Sequence, residues 1–172
     1  MKTVAVIAAL FVALALQSTL AGLRIGGTTA VNLVLVVVVY VGLAFGPAGG
    51  LVAGTAGGLV QDSLAGGIIG IGGFAKTLVG FLVGVLGAQF IVSQPLTRFV
   101  MFVGATLVHE ACFQGLYAVV ESRGFRLPYS ATLTQAIVNA VVGVLAFQVV
   151  EHGPQMLQRR RARGASFSRR HY

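Results

Sequence analysis

The side chains with the most chemical potential lie inside apolar segments in the second half of the chain. Polar residues recur there three or four positions apart, the spacing that places them on one face of a helix. Ionisable groups within a membrane face the bundle interior or a wet cavity, because exposure to hydrocarbon is costly. We therefore predict an interior polar face formed by Thr106, His109, Glu110, Gln114, Gln135 and Asn139.

The residue types on this face leave two interpretations open for His109 and Glu110. One is a hydrogen-bond network between helices, and the other is a polar pocket, a proton path or a contact with a partner. The sequence has no second carboxylate placed to form an acid/base pair with Glu110. It also has no nucleophile–base pairing, metal-ligand cluster or nucleotide-binding loop. The protein is therefore not expected to be an enzyme or to need a cofactor or metal.

A second candidate site lies at a glycine-rich connector between two apolar segments. Asp62 precedes the connector and Lys76 follows it, so the two charges bracket it at one membrane face. We predict an ion pair between them that closes the connector, with independently solvated charges as the alternative.

The composition requires that these residues be positioned by membrane helices. Of the 172 residues, 56% are hydrophobic and only 9% are charged, and the mean hydropathy is +0.91. A soluble domain carries about 25% charged residues, so lipid must be the solvent for most of this chain. The single cysteine, Cys112, rules out a disulfide framework within the chain.

Six apolar segments approach the length of about 20 residues that crosses a bilayer. We therefore predict an all-α, polytopic membrane bundle of six transmembrane helices, with five as the alternative because several segments are short. The first resembles a signal peptide, but its apolar part is long and its cleavage pattern poor, so we expect it to be retained. The predicted spans are residues 4–23, 31–45, 47–60, 77–92, 96–120 and 130–150.

Basic residues define the orientation and a separate tail. We divide the chain into a transmembrane domain, residues 1–152, and a disordered, basic cytoplasmic tail, residues 153–172. Six spans with a cytoplasmic C-terminus place eight basic residues inside and four outside, as the positive-inside rule requires. The net charge of +8 is largely a property of the tail, so we expect contact with anionic lipid and not with nucleic acid. The arginines expected to face lipid are Arg159, Arg160, Arg161 and Arg163.

Glycines at four-residue spacing form ridges on two of the predicted spans. Such ridges let helix backbones approach closely in a membrane. They could pack the chain's own helices or dock a helix of a partner protein, and the sequence does not separate the two. The ridge residues are Gly46, Gly50, Gly54, Gly58, Gly80 and Gly84.

The segment 54–80 resembles the central motif of the MreD family of rod shape-determining membrane proteins. It has a glycine-bearing helix that ends in Leu59-Val-Gln-Asp62 and then a small-residue connector. The next helix opens with Lys76-Thr-Leu-Val-Gly80, which also fits the family pattern. The length and the six-span layout agree over nearly the whole chain.

This resemblance implies a non-enzymatic scaffold of the bacterial cell-elongation machinery, in the inner membrane with both termini cytoplasmic. Such a protein binds MreC and, directly or through MreC, the glycan polymerase RodA and its class B penicillin-binding transpeptidase. MreB filaments would be engaged indirectly. The family is also similar in layout to the substrate-binding components of energy-coupling-factor transporters. A vitamin-capturing transport component is therefore the alternative.

Overall fold

The computed structural model describes residues 2–20, 24–25, 28–90, 92 and 94–168. A two-residue antiparallel pair, β1 (Arg24–Ile25) and β2 (Thr28–Thr29), follows the first helix. All five described helices are long and apolar enough to cross a membrane. The prediction of a helical membrane bundle is confirmed. The five described helices match the alternative number of spans given in that prediction. The helices are α1 (Lys2–Leu20), α2 (Leu33–Ala65), α3 (Ile71–Gln89), α4 (Pro95–Val120) and α5 (Tyr129–Ser168).

Helix α2 consists of two limbs, residues 33–45 and 47–65, which meet at Gly46. The backbone of Gly46 is not helical, with φ 81° and ψ −173°. A positive φ of this kind suits glycine, which has no Cβ to clash with the backbone. Pro47 then occupies the first position of the second limb, where its missing N–H is not needed.

The two limbs of α2 fold back on one another. A Cβ built on Gly57, in the second limb, would lie 3.0 Å from Cγ1 of Val34 in the first. In a straight helix these positions would be about 35 Å apart at 1.5 Å per residue. The limbs are therefore antiparallel, and they correspond to the predicted spans 31–45 and 47–60. The five helices consequently provide six helical segments.

Both termini of the transmembrane bundle lie at the same end of the molecule. Thr3 and Phe45 line one cavity, and Phe45 and Val150 line another, so the start of α1, the Gly46 turn and residue 150 of α5 lie together. We call this the tail end, and the opposite end, which holds the 66–70 connector, the connector end. Helix α5 continues through Ser168. The division of the chain at residue 152 stays a prediction.

The core is built mainly from valine and small residues. Its larger buried cluster joins α2, α3, α4 and α5, and a second cluster joins α1 to both limbs of α2. β-Branched valines stack against the glycine surfaces of neighbouring helices, which keeps the helix axes close. The principal members of the larger cluster are Leu35, Val39, Val79, Val83, Phe102 and Phe147.

Candidate functional site

The second limb of α2 and helix α3 meet through their glycine ridges. A Cβ on Gly50 would collide with the backbone carbonyl of Gly80, and a Cβ on Gly54 would collide with that of Lys76. Farther along, a Cβ on Gly84 would lie 2.5 Å from Cα of Pro47. No side chain fits between these backbones, and we call this contact the glycine interface.

The glycine interface occupies most of the predicted ridge residues within the chain itself. Gly50, Gly54 and Gly58 on α2 are buried, and so are Gly80 and Gly84 on α3. Gly46 lies at the turn between the two limbs instead. This arrangement fits the interpretation in which the ridges pack the chain's own helices, because a partner helix cannot reach these faces.

Asp62 caps the start of α3 from the other side of the connector. Its Oδ2 accepts hydrogen bonds from the backbone N–H groups of Gly70 (2.9 Å) and Gly73 (3.0 Å). Gly70 is the N-cap of α3 and Gly73 lies in its first turn, where N–H groups lack partners within the helix and carry a partial positive charge. Asp62 thereby closes the connector with its carboxylate.

Lys76 points into the bundle, where its ammonium group meets α4. Its Nζ lies 3.3 Å from Nε2 of His109, and only 2% of the Lys76 surface is exposed. The predicted direct pair with Asp62 is not among the ion pairs within 4.0 Å in the described part of the chain. Asp62 binds backbone amides at the start of α3, whereas Lys76 contacts His109 on α4. The two charged groups therefore stabilise different contacts between helices.

His109 links Lys76 to the carboxylate of Glu110. The His109 Nδ1 lies 3.5 Å from Oε1 of Glu110, and it has no hydrogen-bond partner among the described residues. The imidazole is 2% exposed, Glu110 is 5% exposed, and the ring of Phe113 stacks on the imidazole at 5.8 Å. We call Asp62, Lys76, His109 and Glu110 the charged cluster.

A chain of uncharged hydrogen bonds joins α2, α5 and α4. The side-chain oxygen of Asn139 accepts the backbone N–H of Asn32 (2.9 Å), and its amide group donates to Oγ1 of Thr106 (3.2 Å). Asn32 in turn caps α2 by accepting the N–H of Leu35 (3.1 Å). The predicted polar residues Thr106 and Asn139 thus belong to one buried network.

The other two predicted residues of the polar face differ in position. Gln135 is buried, with 1% of its surface exposed, whereas Gln114 is half-buried nearer the end of α4. Tyr117, one turn beyond Gln114, accepts a hydrogen bond from the backbone N–H of Ile68 in the connector (3.2 Å). This hydrogen bond joins α4 to the connector.

Two polar contacts that hold the bundle were not predicted from the sequence. Gln17 of α1 donates to the carbonyl of Val31 (3.0 Å) and accepts the N–H of Leu33 (2.8 Å). Gln17 was detectable as a polar side chain within an apolar helix. Its partners were not, because they are backbone groups of the following segment.

The second missed contact is an ion pair at the tail end. Both guanidinium nitrogens of Arg98 donate to the carboxylate of Glu151 (2.8 and 2.6 Å), and its Nε donates to the carbonyl of Val92 (3.0 Å). The guanidinium also lies 4.4 Å from the ring centre of Phe147. These contacts join the start of α4 to α5. The sequence gives no local indication of this pair, because Arg98 and Glu151 lie 53 positions apart.

The predicted lipid-facing arginines belong to the final part of α5. The side chains of Arg159, Arg160, Arg161 and Arg163 lie outside the described residues. Within the described part of the chain, no group of three or more His, Cys, Asp or Glu residues is arranged to hold a metal ion.

These features define a class of protein, a polytopic α-helical membrane protein whose interior is joined by glycine contacts and buried polar bridges. The family model for the rod shape-determining protein MreD matches residues 1–152 of the chain. The chain therefore belongs to the MreD family, which assigns it a role in rod-shape determination. No curated protein and no solved structure matches it.

Proposed function

We propose that this protein is a non-enzymatic scaffold of the bacterial cell-elongation machinery. In this role it binds MreC and links MreC to the glycan polymerase RodA and its class B penicillin-binding transpeptidase, with MreB filaments engaged indirectly. The observation that carries the proposal is the family match over residues 1–152. The interior supports it, because its groups bind one another across helices, as a rigid platform for partners requires.

The orientation that we propose follows from the basic residues. The tail end of the bundle holds Arg98, the start of α1 and the beginning of the tail, whereas Arg123 and Arg126 follow α4 at the connector end. On the basis of the positive-inside rule, we propose that the tail end faces the cytoplasm and that the membrane is the bacterial inner membrane. The tail arginines would add roughly 1 kcal/mol each of attraction to anionic lipid.

The partner surface that we propose is the outer face of α1. Since the glycine interface is filled by the chain itself, MreC must contact another surface. Helix α1 exposes large apolar side chains, among them Ile7 (61% exposed) and Phe11 (73% exposed). Beside it lies a cavity of about 590 Å³, which Leu10 and Val52 help to line. A membrane helix of MreC could pack against this face and into the cavity.

The test is co-purification of MreC with the tagged full-length protein from membranes. Wild type should retain MreC, and the double variant Ile7→Ala/Phe11→Ala should retain several-fold less. Phe74→Ala is the matched control, because Phe74 is also exposed (59%) but lies on α3. Failure of the wild type to retain MreC would overturn the scaffold proposal. Equal retention by the α1 variant and the control would overturn only the assignment of the surface.

The transporter alternative predicts a different outcome in the same preparation. A substrate-capturing component would bind a vitamin-type ligand through the buried polar residues, and the observation that favours it is the interior position of Lys76, His109 and Glu110. Such a ligand would raise the thermal unfolding midpoint of the detergent-solubilised protein, because a ligand that binds only the folded state stabilises it. A scaffold should show no such shift with a panel of vitamins.

A further inference from the structure

The charged cluster contains one bridge between helices that depends on the protonation state of a histidine. Lys76 belongs to α3, and His109 belongs to α4. An ammonium group can only donate hydrogen bonds. Nε2 of His109, 3.3 Å from the Lys76 nitrogen, must therefore be the acceptor and carry no proton. The bridge exists only while the imidazole is neutral and holds its proton on Nδ1.

The proton on Nδ1 points toward a carboxylate on the same helix. Nδ1 lies 3.5 Å from Oε1 of Glu110, the next residue of α4. The two nitrogens of the imidazole thus face opposite kinds of partner. One meets a cation on a neighbouring helix, and the other meets an anion on its own helix.

We propose that protonation of His109 breaks its hydrogen bond to Lys76 on α3 and strengthens its contact with Glu110 on α4. The contact between α3 and α4 is thereby loosened. A proton added at Nε2 removes the lone pair that accepts from Lys76 and places two positive charges about 3.3 Å apart. The same proton strengthens the attraction between Nδ1–H and Glu110, which becomes a charge-assisted contact. A bond between two helices is exchanged for a contact within one helix.

Charged groups on three helices interact with His109. Asp62 faces it from α2, Lys76 from α3 and Glu110 from α4, and Phe113 covers one face of the ring. Asp62 is already engaged with the backbone amides of Gly70 and Gly73. Glu110 is thus the carboxylate that remains to pair with an imidazolium. The α5 groups of the nearby uncharged network, among them Asn139, do not titrate.

The first test is histidine-selective ¹⁵N NMR of the full-length protein in bilayer nanodiscs. The replacements His152→Gln and His171→Gln leave His109 as the only histidine. At about pH 7 its spectrum should show a protonated Nδ1 and an unprotonated Nε2, and both nitrogens should become protonated as the pH is lowered stepwise to about 4. A proton on Nε2 in the neutral form, or no change between the two pH values, would overturn the proposal.

The second test measures the coupling between Lys76 and His109 by a double-mutant cycle. The variants are Lys76→Met, His109→Leu and their combination, since neither new side chain can form the hydrogen bond, and the readout is equilibrium unfolding in mixed micelles. The coupling between Lys76 and His109 should change the unfolding equilibrium constant about threefold at pH 7, the average for a hydrogen bond between membrane helices. It should vanish or change sign at the lower pH at which both His109 nitrogens carry a proton. The same coupling at both pH values would contradict the switch.

Two controls keep this test decisive. A glutamine at position 109 can accept a hydrogen bond from Lys76 but does not titrate. The single variant His109→Gln should therefore lose the pH dependence of stability that His109 gives to the wild type. Thr134→Val should keep the wild-type dependence, because the Thr134 hydroxyl bonds within its own helix, α5. If His109→Gln does not fold, the NMR measurement still decides the outcome. MreC retention is a separate readout, so failure of the switch leaves the scaffold proposal standing.

Discussion

Helix α3 has two sides that are held in opposite ways. Toward α2 it presents Gly80 and Gly84, and the backbones touch with no side chain between them. Toward α4 it presents Lys76, whose long side chain reaches His109. The contact with α2 requires that no side chain lie between the two backbones. The contact with α4 requires that the Lys76 and His109 nitrogens lie within hydrogen-bond distance. The glycine interface should therefore be intolerant of any added volume, whereas the polar side should respond to hydrogen-bonding capacity.

The largest effect is expected from added volume at the glycine interface. Gly50→Ala places a methyl group against the carbonyl of Gly80 and should destabilise the protein by about 3 kcal/mol. The control is Gly104→Ala on α4, where nothing lies within 4 Å of the new Cβ. It should change stability by less than about 1 kcal/mol, and in the stabilising direction. The measurement is the unfolding free energy in mixed micelles, and equal losses at the two positions would break the comparison.

A middle-sized effect is expected at the cap of α3. Asp62→Ala leaves the N–H groups of Gly70 and Gly73 without their acceptor and should cost about 1–2 kcal/mol. Asp62→Asn keeps a side-chain oxygen in place, so it should lose less in the same unfolding assay. If both substitutions lower the unfolding free energy equally, the hydrogen-bond acceptor is not the group through which Asp62 stabilises α3.

The smallest effect is expected in the uncharged network. Thr106→Val preserves the shape of the side chain but removes the acceptor for Asn139, and should cost about 0.6 kcal/mol. Thr134→Val is its counterpart, because the Thr134 hydroxyl donates to the carbonyl of Ser130 within its own helix. That variant should be nearly neutral. A larger loss at Thr134 than at Thr106 would show that the interhelical bond is not the stabilising one.

Features that depend on periodicity, such as which residues share a helix face, could be predicted from the sequence. Contacts that depend on the relative rotation of the helices could not. Four-residue glycine spacing indicated a ridge, and the ridge lies at a close helix contact. The polar spacing on α4 placed Thr106, His109 and Glu110 inward, where they are buried. Periodicity fixes which residues share a face, but not which neighbouring helix that face meets.

The partner of each charge was the part that the sequence could not supply. Asp62 and Lys76 are close in sequence, so a pair between them was the natural expectation. The observed partners of Arg98 and Lys76 lie 53 and 33 residues away. Their choice is set by the rotation of α4 and α5 against the rest of the bundle. A single sequence does not encode that rotation in any local pattern.

The central claim is that α2 turns back at Gly46, so that its glycines serve the packing of the chain itself. Distance measurement between spin labels at positions 33 and 60, one on each limb, tests it in a Cys112→Ser background. Folded-back limbs place the two backbones about 10 Å apart, the separation of packed helices. A straight α2 would place them about 40 Å apart. The short distance is our prediction, and a distance near 40 Å would contradict the account.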